Sequence, residues 1–283
     1  MSYRPRRSAL YMPASNRRAI EKSRSLDCDV VILDLEDAVA PEAKAEAREQ
    51  AVAAARESGF GRRELVLRSN ALDTEWGEDD LRAAAGAGFD AVLLPKLSTV
   101  ATLAGARGIV GANGPELWAM VETTRGLADL PAIVEAAAAQ RLTVLVAGTN
   151  DLAKELRCRP GPDRAPLLPH LGRIVLCARM AGLTALDGVI NVLDDAQAIE
   201  AECRQGLAWG FDGKTLIHPA QVEPANRVFA PDAEEVAWAR TVVAAFDEPA
   251  NAGKAALRVD GKMVELLHRA DAERTLAIAE ALT

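Results

Sequence analysis

The chain has 283 residues, of which 49% are hydrophobic and 26% charged, a composition typical of a soluble globular protein. Its formal net charge is −8, its pI is about 5.1, and it has no basic stripe with interleaved aromatic residues, which argues against a nucleic-acid partner. It contains no apolar run long enough to cross a bilayer and no signal-type apolar region, so we expect a cytoplasmic protein without a membrane partner.

The cysteines are scattered along the chain, and no two of them form a C-x-x-C pair. Such spacing fits neither a zinc cluster nor the disulfide framework of a small secreted protein. We therefore expect reduced thiols at Cys28, Cys158, Cys177 and Cys203.

Short apolar runs alternate with alanine-rich helical stretches through most of the chain. An apolar run bounded by polar residues is typical of a strand buried on both faces of a parallel sheet. The pattern predicts helices at residues 16–25, 41–58, 79–87 and 127–139. It predicts strands at residues 8–12, 30–35, 64–68, 91–94, 116–121, 143–147, 184–186 and 213–217.

Eight strands separated by helices predict an α/β protein of the (β/α)8 TIM-barrel type. The alternative is an open doubly wound sheet, which would expect a glycine-rich phosphate-binding turn after the first strand. Residues 12–16 read MPASN at that position and lack the G-x-G-x-x-G pattern. The barrel is therefore favoured.

The pattern changes beyond Val228. Helices are predicted at residues 233–246 and 263–282, with a polar break at 249–253 between them. We expect a barrel domain at residues 1–230 and a C-terminal helical arm at 231–283, which packs on the barrel or on a neighbouring subunit.

Polar residues follow the predicted strands, at the end where parallel barrels carry their chemistry. Carboxylates outnumber the nearby cations in this set, which suits a hard divalent ion with oxygen ligands. The three histidines are far apart in the sequence, which makes zinc less expected. The set comprises Asp34, Glu36, Asp37, Arg68, Asn70, Lys96, Glu122, Thr123, Asn150, Asp151, Asp187 and His218.

Several of these residues also have purely structural alternatives. Glu122 could form an ion pair with Arg125 in the following turn. Asp151 could cap the helix that begins near Leu152, and His218 could be a packed loop residue.

The acidic cluster after the second strand has a structural alternative as well. Asp37 could cap the helix after Pro41 while Glu36 pairs with an arginine, and Arg68 could serve only as an ion-pair partner. Singly these positions carry little weight, but together at one barrel end they favour a Mg²⁺ enzyme.

Short motifs collinear from residue 7 to the C-terminal helix resemble the HpcH/HpaI aldolase and citrate lyase β-subunit-like family of CoA-ester lyases. The motifs are specific in combination and cover nearly the whole chain. They are RSALYMP at 7–13, DLEDAV at 34–39, LRSN at 67–70, LLPK at 93–96, MVET at 120–123, GTNDL at 148–152, GKTLIHP at 213–219 and DGKM at 260–263.

The resemblance implies a Mg²⁺-dependent, homo-oligomeric enzyme, trimeric or hexameric. Such an enzyme cleaves a 3-hydroxyacyl-CoA such as malyl-CoA or citramalyl-CoA into a 2-oxo acid and an acyl-CoA. Carried over by motif, Glu122 and Asp151 would ligate the metal, Glu36 and Asp37 would hold metal-bound waters, and Arg68 would face the reacting oxygens.

The resemblance also implies a set of substrate-binding and CoA-binding residues. In some relatives the CoA-binding arginine sits one place before Arg17, where this chain has Asn16. The Ile217–His218 backbone would line the acyl pocket. The full set is Tyr11, Arg17, Lys22, Arg68, Asn150, Ile217 and His218.

The chain departs from the family pattern in the C-terminal arm. Many relatives carry G-K-M-I-D, whose aspartate is a catalytic acid or base at a neighbouring subunit's site, whereas residues 261–265 here read GKMVE. Glu265 takes that place with one extra methylene, or it is simply an exposed helix residue. The sequence also resembles the (3S)-malyl-CoA thioesterase branch of the family.

Three activities are therefore open. The first is a CoA-ester lyase, the second a thioesterase that gives malate and CoA, and the third a citrate-lyase β-type subunit of a larger complex.

Overall fold

Eight parallel strands form a closed barrel in the computed structural model, which describes residues 3–283. Each strand pairs with the next one in the sequence, and β8 returns to pair with β1. The predicted TIM barrel is thus confirmed. The strands are β1 (Ser8–Pro13), β2 (Val30–Asp34), β3 (Glu64–Arg68), β4 (Ala91–Leu94), β5 (Glu116–Val121), β6 (Leu142–Ala147), β7 (Thr184–Asp187) and β8 (Gly213–Leu216).

Helices follow the strands, and several begin at a side chain that accepts a hydrogen bond from an N–H of the first turn. Asn16, Thr99, Thr123 and Asp195 act in this way. The described residues contain no helix long and apolar enough to span a membrane. The helices are α1 (Arg17–Ser23), α2 (Lys44–Glu57), α3 (Gly77–Ala84), α4 (Val100–Val110), α5 (Thr124–Glu135), α6 (Ala137–Gln140), α7 (Thr149–Leu156), α8 (Leu168–Met180), α9 (Ala196–Ala208) and α10 (Val222–Val228).

One apolar cluster fills the barrel interior. Alternate residues of each strand point inward, as the two-residue period of a strand requires. The cluster includes Ile32, Leu93 and Trp118, which are fully buried, and ends near Tyr11 and Met120. The functional end of the barrel therefore rests on a packed floor.

Ion pairs close the N-terminal end of the barrel. Arg6 donates to Glu64 at 2.6 and 2.9 Å and lies 5.3 Å from the centre of the Trp118 ring. Arg7 donates to both carboxylate oxygens of Asp29 at 2.8 Å. Each of these arginines thus has a carboxylate partner.

The described chain divides into two compact units, residues 6–227 and residues 228–283 with residues 3–5. The second unit contains α11 (Ala233–Asp247), β9 (Ala256–Val259), β10 (Lys262–Glu265) and α12 (Leu266–Ala281). The prediction of a helix from residue 263 is wrong for its first three residues, because 263–265 pair with β9 in an antiparallel hairpin. The predicted packing of this arm on the barrel or on a neighbouring subunit stays a prediction.

Candidate active site at the C-terminal end of the barrel

A cavity of about 340 Å³ lies at the C-terminal ends of the strands. It brings together residues from most of the strand ends, which is how parallel barrels assemble sites from distant parts of a sequence. Its lining residues are Tyr11, Pro13, Asp34, Asp37, Ala38, Arg68, Met120, Glu122, Ala147, Gly148, Thr149, Asn150, Asp151, Val189, Asn191 and Ile217.

A two-pronged ion pair between Arg68 and Asp34 forms the base of the site. Nε and Nη2 of Arg68 each donate to one Asp34 oxygen at 2.6 Å, and both side chains are buried. Burial lowers the pKa of Arg68, but the Asp34 carboxylate outweighs it and the net pKa is raised. The Asp34 oxygens also accept the N–H groups of Glu36 and Ala38, which shapes the turn after β2.

The third nitrogen of Arg68 faces other groups. Nη1 lies 3.0 Å from Glu36 Oε2, 3.4 Å from Asp37 Oδ2 and 3.9 Å from Met120 Sδ. The guanidinium carbon lies 4.8 Å from the centre of the Tyr11 ring. The structural alternative, in which Arg68 is an ion-pair partner, is therefore confirmed. Arg68 also lines the cavity.

Tyr11 and Glu36 each carry a buried polar atom that lacks a hydrogen-bond partner among residues 3–283. These atoms are the Tyr11 hydroxyl and Glu36 Oε2, although Arg68 forms an ion pair with the latter. Burial raises the pKa of Tyr11. Burial also raises the pKa of Glu36, although the nearby cations Arg68 and Lys96 act to lower it. The alternative that Glu36 pairs with an arginine is confirmed, whereas Asp37 caps no helix, because Ala40 precedes the 3₁₀ turn at Pro41–Ala43.

Glu122 is 2% exposed, and among the described residues only one of its two carboxylate oxygens accepts a hydrogen bond. Its Oε1 accepts the N–H of Lys96 at 2.7 Å, while Oε2 accepts no hydrogen bond from the described residues. Burial, and after it the negative charge of nearby Glu36, raises the pKa of Glu122 to about 8. The proposed pairing with Arg125 is wrong, because Arg125 binds Asp129 at 2.7 Å.

Gly148 makes room for the second oxygen of Glu122. A Cβ at this position would lie 2.3 Å from Glu122 Cβ and 2.7 Å from Oε2. Gly148 is also the residue before α7, so Asp151 stands in the first helical turn and does not cap the helix. The Asp151 carboxylate makes no hydrogen bond or ion pair within residues 3–283. The capping alternative is therefore wrong.

The donor set fits a divalent cation. Among the described residues at this end, the carboxylates Asp34, Glu36, Asp37, Glu122 and Asp151 outnumber the cations, because Arg68 and Lys96 form the ion pairs there and Lys44 is bound to the main-chain carbonyl oxygens of Leu35 and Glu36. Asp151 adds to the rise in the Glu122 pKa, so these carboxylates repel each other. Residues 3–283 contain no group of three or more His, Cys, Asp or Glu side chains placed as a complete metal site. Mg²⁺ commonly uses only one or two protein carboxylates and completes its shell with water and substrate.

An amide pair stands at the rim of the cavity. Asn191 Nδ2 donates to Asn150 Oδ1 at 3.0 Å, and Asn150 Nδ2 donates back at 3.4 Å. Both amides are exposed and line the cavity. Sequence reasoning named Asn150 and missed Asn191, although Asn191 is a polar residue in the loop after β7.

The members of the predicted polar ring that do not line the cavity are Glu36, Asn70, Lys96, Thr123, Asp187 and His218. Two of them, Asp187 and Asn70, bind partners within the frame of the barrel. Asp187 binds Arg164 at 2.8 Å and Lys214 at 3.1 Å, because its neighbour Leu186 points into the barrel and Asp187 therefore lies on the opposite face of β7. Asn70 binds Asp80 of α3 through its main chain and side chain. These positions serve the frame of the barrel.

The segment after β8 reaches the cavity with one residue. Ile217 lines it, whereas His218 does not. The N–H groups of both residues donate to Gln221 Oε1, so this backbone is already committed to an internal partner. His218 Nδ1 accepts the N–H of Ala220 and caps the following 3₁₀ turn, and the residue is exposed, not packed.

The remaining predicted residues lie elsewhere. Arg17 and Lys22 are exposed on α1 and do not line the cavity, while Asn16 caps that helix. Glu265 ends β10 in the C-terminal unit, is exposed, and donates its N–H to His268 Nδ1 at 2.9 Å.

The chain matches a known family over most of its length. Residues 7–219 match the HpcH/HpaI aldolase/citrate lyase family. It is 48% identical to a "(3S)-malyl-CoA thioesterase" of Cereibacter sphaeroides strain KD131, over 98% of this chain and 96% of that one. It is 34% identical to "citrate lyase subunit beta" of Escherichia coli K12, over 93% of this chain and 89% of that one.

The fold matches solved structures as well. One is the protein CitE from Mycobacterium tuberculosis in complex with magnesium, acetoacetate and coenzyme A. The two structures superpose with a TM-score of 0.78 at 31% identity, over 96% of this chain and 97% of that one.

Proposed function

Because this chain belongs to the HpcH/HpaI aldolase/citrate lyase family, we propose that it is a Mg²⁺-dependent enzyme acting on a 3-hydroxyacyl-CoA thioester, with (3S)-malyl-CoA as the first candidate. The observation that carries the proposal is the pair of carboxylates at Glu122 and Asp151, which line one cavity without cationic partners. Arg68 stands in the same cavity as a fixed hydrogen-bond donor.

We rank thioester hydrolysis first, because of the 48% identity to a (3S)-malyl-CoA thioesterase. A water oxygen forms the new bond to the thioester carbonyl carbon, the C–S bond breaks, and malate and CoA leave. Arg68 Nη1 is suited to bind the carbonyl oxygen as negative charge develops on it. Asp37, whose side chain is 65% exposed, is suited to take the proton from water.

Glu122 and Asp151 would hold Mg²⁺. When bound, the ion supplies Lewis-acid polarisation of a substrate oxygen. The rim amides Asn150 and Asn191 offer donors and acceptors to the polar end of the acyl group, and Met120 and Val189 supply an apolar wall.

Carbon–carbon cleavage is the second candidate, favoured by the similarity to citrate lyase subunit beta. The hydroxyl proton of malyl-CoA is removed, the C2–C3 bond breaks to release glyoxylate, and the acetyl-CoA enolate takes up a proton. Arg68 would stabilise the enolate oxygen, and Glu265 would move the proton at the site of a neighbouring subunit, as the family resemblance implies. A role only within a complex that carries acyl groups on a carrier protein is the third candidate.

Product analysis separates the three candidates. The purified protein is incubated with malyl-CoA and citramalyl-CoA, with Mg²⁺ and with a chelator, and products are identified by mass spectrometry. Malate and free CoA indicate a thioesterase, whereas glyoxylate or pyruvate with acetyl-CoA indicates a lyase. Turnover only with an added carrier protein indicates the subunit role. Full activity in chelator would refute the metal dependence.

A further inference from the structure

Lys96 follows β4 and holds a backbone conformation that lysine rarely adopts. Its φ is +51°, in the left-handed region, which costs about 1–2 kcal/mol for a residue with a side chain. In a well-packed protein, such strain persists only where the surroundings enforce it, and it often marks a functional position.

The surroundings that enforce it come from the segment carrying Glu122. Ser98 Oγ lies 3.0 Å from Thr123 Oγ1 and donates to the Lys96 carbonyl oxygen at 2.9 Å. A Cβ on Gly126 would lie 2.3 Å from the Leu97 carbonyl oxygen, so only glycine permits this close approach. The turn after β4 is therefore locked against the start of α5.

This locked turn directs both donors of Lys96 at carboxylates of the candidate site. The main-chain N–H donates to Glu122 Oε1 at 2.7 Å, and Nζ donates to Glu36 Oε1 at 2.6 Å. The other oxygen of Glu36 faces Arg68 Nη1 at 3.0 Å. Glu36 is thus held between two cations, whereas Glu122 Oε2 keeps no hydrogen bond within residues 3–283.

We propose that Lys96 is a positioning residue for the divalent-cation site, where its ammonium group holds Glu36 back from the cation so that Glu122 and Asp151 ligate it and positions stay open for the substrate. The inference rests on the metal site of the proposed function. A cation with three carboxylate ligands would bind more tightly but would offer fewer positions to a substrate. The Lys96 side chain is 44% exposed, but its partner Glu36 is only 8% exposed. An ion pair exposed on both sides would have no such effect.

Binding of Mn²⁺ alone tests this inference, with free Mn²⁺ quantified by electron paramagnetic resonance. K96M is expected to bind Mn²⁺ about tenfold more tightly than wild type, within the range of couplings between contacting residues. In the E36Q background the same substitution should change the affinity less than about twofold, because the group it releases is absent. K96R keeps the cation and should bind Mn²⁺ as wild type does.

Turnover is expected to move in the opposite direction. K96M should lower kcat while tightening Mn²⁺, a combination that loss of fold does not produce. K96G is the second variant, because glycine adopts positive φ without strain and retains the N–H that binds Glu122, so it should fold and tighten Mn²⁺ as well. K254M, at an exposed lysine of the C-terminal unit, is the matched control and should leave Mn²⁺ affinity unchanged.

Two failures are distinguishable. A wild-type protein that binds no Mn²⁺ would overturn the metal site and this inference with it. A wild-type protein that binds Mn²⁺, with folded K96M and K96G of equal or weaker affinity, would overturn the role of Lys96 alone.

Discussion

At the scale of single residues, the site depends on the partners that each nitrogen atom of the Arg68 guanidinium binds. Two nitrogens of Arg68 are bound to Asp34, which prevents rotation, and the third is directed at Glu36 and Asp37. Two parallel bonds of this kind fix orientation as well as charge. The donor is therefore preorganised before a substrate arrives.

R68K should lower kcat/KM for the preferred thioester by about 10²–10³-fold, the loss typical for removing one preorganised donor to a developing oxyanion. Lysine has a single nitrogen and cannot both keep two bonds to Asp34 and face the cavity. Steady-state kinetics measure the effect. R125K is the matched control, because Arg125 is exposed and, within residues 3–283, its ion-pair partner is Asp129 alone. A rate near that of wild type would remove Arg68 from the proposed chemistry.

The Glu122 carboxyl should make the stability of the metal-free protein depend on pH. Its pKa is about 8 against an ordinary 4.5, so between these values the folded state holds a proton that the unfolded state has released. The free energy of unfolding should therefore fall as pH rises from about 5 to about 8. Urea unfolding in chelator across this range measures it.

E122Q removes this titration, so its unfolding free energy should depend less steeply on pH than that of wild type. Mg²⁺ should then stabilise wild type at high pH and leave E122Q unchanged, since ligand binding to the folded state adds stability. E135Q, at an exposed glutamate of α5, is the control and should keep the wild-type slope. Equal slopes in E122Q and wild type would show that Glu122 is not the group responsible.

At the scale of elements, the join between β6 and α7 sets the distance between the proposed metal ligands. Gly148 lies against Glu122, and Asp151 follows in the first turn of α7. G148A should lower kcat/KM at least tenfold and destabilise by about 1–3 kcal/mol, because the new methyl group must displace the Glu122 carboxylate.

The control for G148A is G105A in α4, where an added Cβ meets nothing within 4 Å. Alanine there should leave activity unchanged and stabilise the protein by about 0.5–1 kcal/mol. Kinetics and thermal unfolding of both variants decide the question. An active G148A protein would mean that the Glu122 carboxylate is free to move.

A buried ion network joins β7 and β8 to α9. Lys214 is fully buried and donates to Asp187, to the Gly188 carbonyl oxygen and to Glu202. K214M should cost about 3–5 kcal/mol in unfolding free energy, because it removes one of the two cations that face Asp187 and Glu202 and leaves Arg164 alone beside both carboxylates. Urea unfolding measures this cost. K154M, at an exposed lysine of α7, should be within about 0.5 kcal/mol of wild type.

Strands were more predictable from the sequence than helices or side-chain partners. Most barrel strands are short apolar runs, the signature that burial on both faces leaves, whereas β8 contains the buried polar residues Lys214 and Thr215. Helices α4, α8, α9 and α10 were not predicted, and residues 263–265 of β10 were assigned to a helix. Asp187 was placed in the cavity because it follows the predicted strand at 184–186, whereas it lies on the face of β7 opposite the inward Leu186 and binds Arg164 and Lys214.

At the scale of the whole molecule, the fold followed from counting βα units, and the site followed from the rule that their C-terminal ends converge. That rule correctly placed Arg68, Glu122 and Asp151 around one cavity. The sequence did not predict the left-handed backbone of Lys96. That conformation depends on contacts of the following turn with Thr123 and Gly126, which lie far along the chain. Tertiary contacts of this kind are not encoded in local pattern.

The two ends of the barrel differ in how their charges are matched. The arginines described at the N-terminal end have carboxylate partners, Glu64 and Glu116 for Arg6 and Asp29 for Arg7, whereas the described carboxylates at the C-terminal end exceed the cations beside them. A CoA thioester is itself an anion and is repelled by such a surplus. The KM for the thioester should therefore fall as Mg²⁺ rises in initial-rate measurements, with a KM independent of Mg²⁺ as the contrary result. In a cell, the concentration of free divalent metal would then set how tightly this protein binds its substrate. Low metal would reduce its activity even while substrate is abundant.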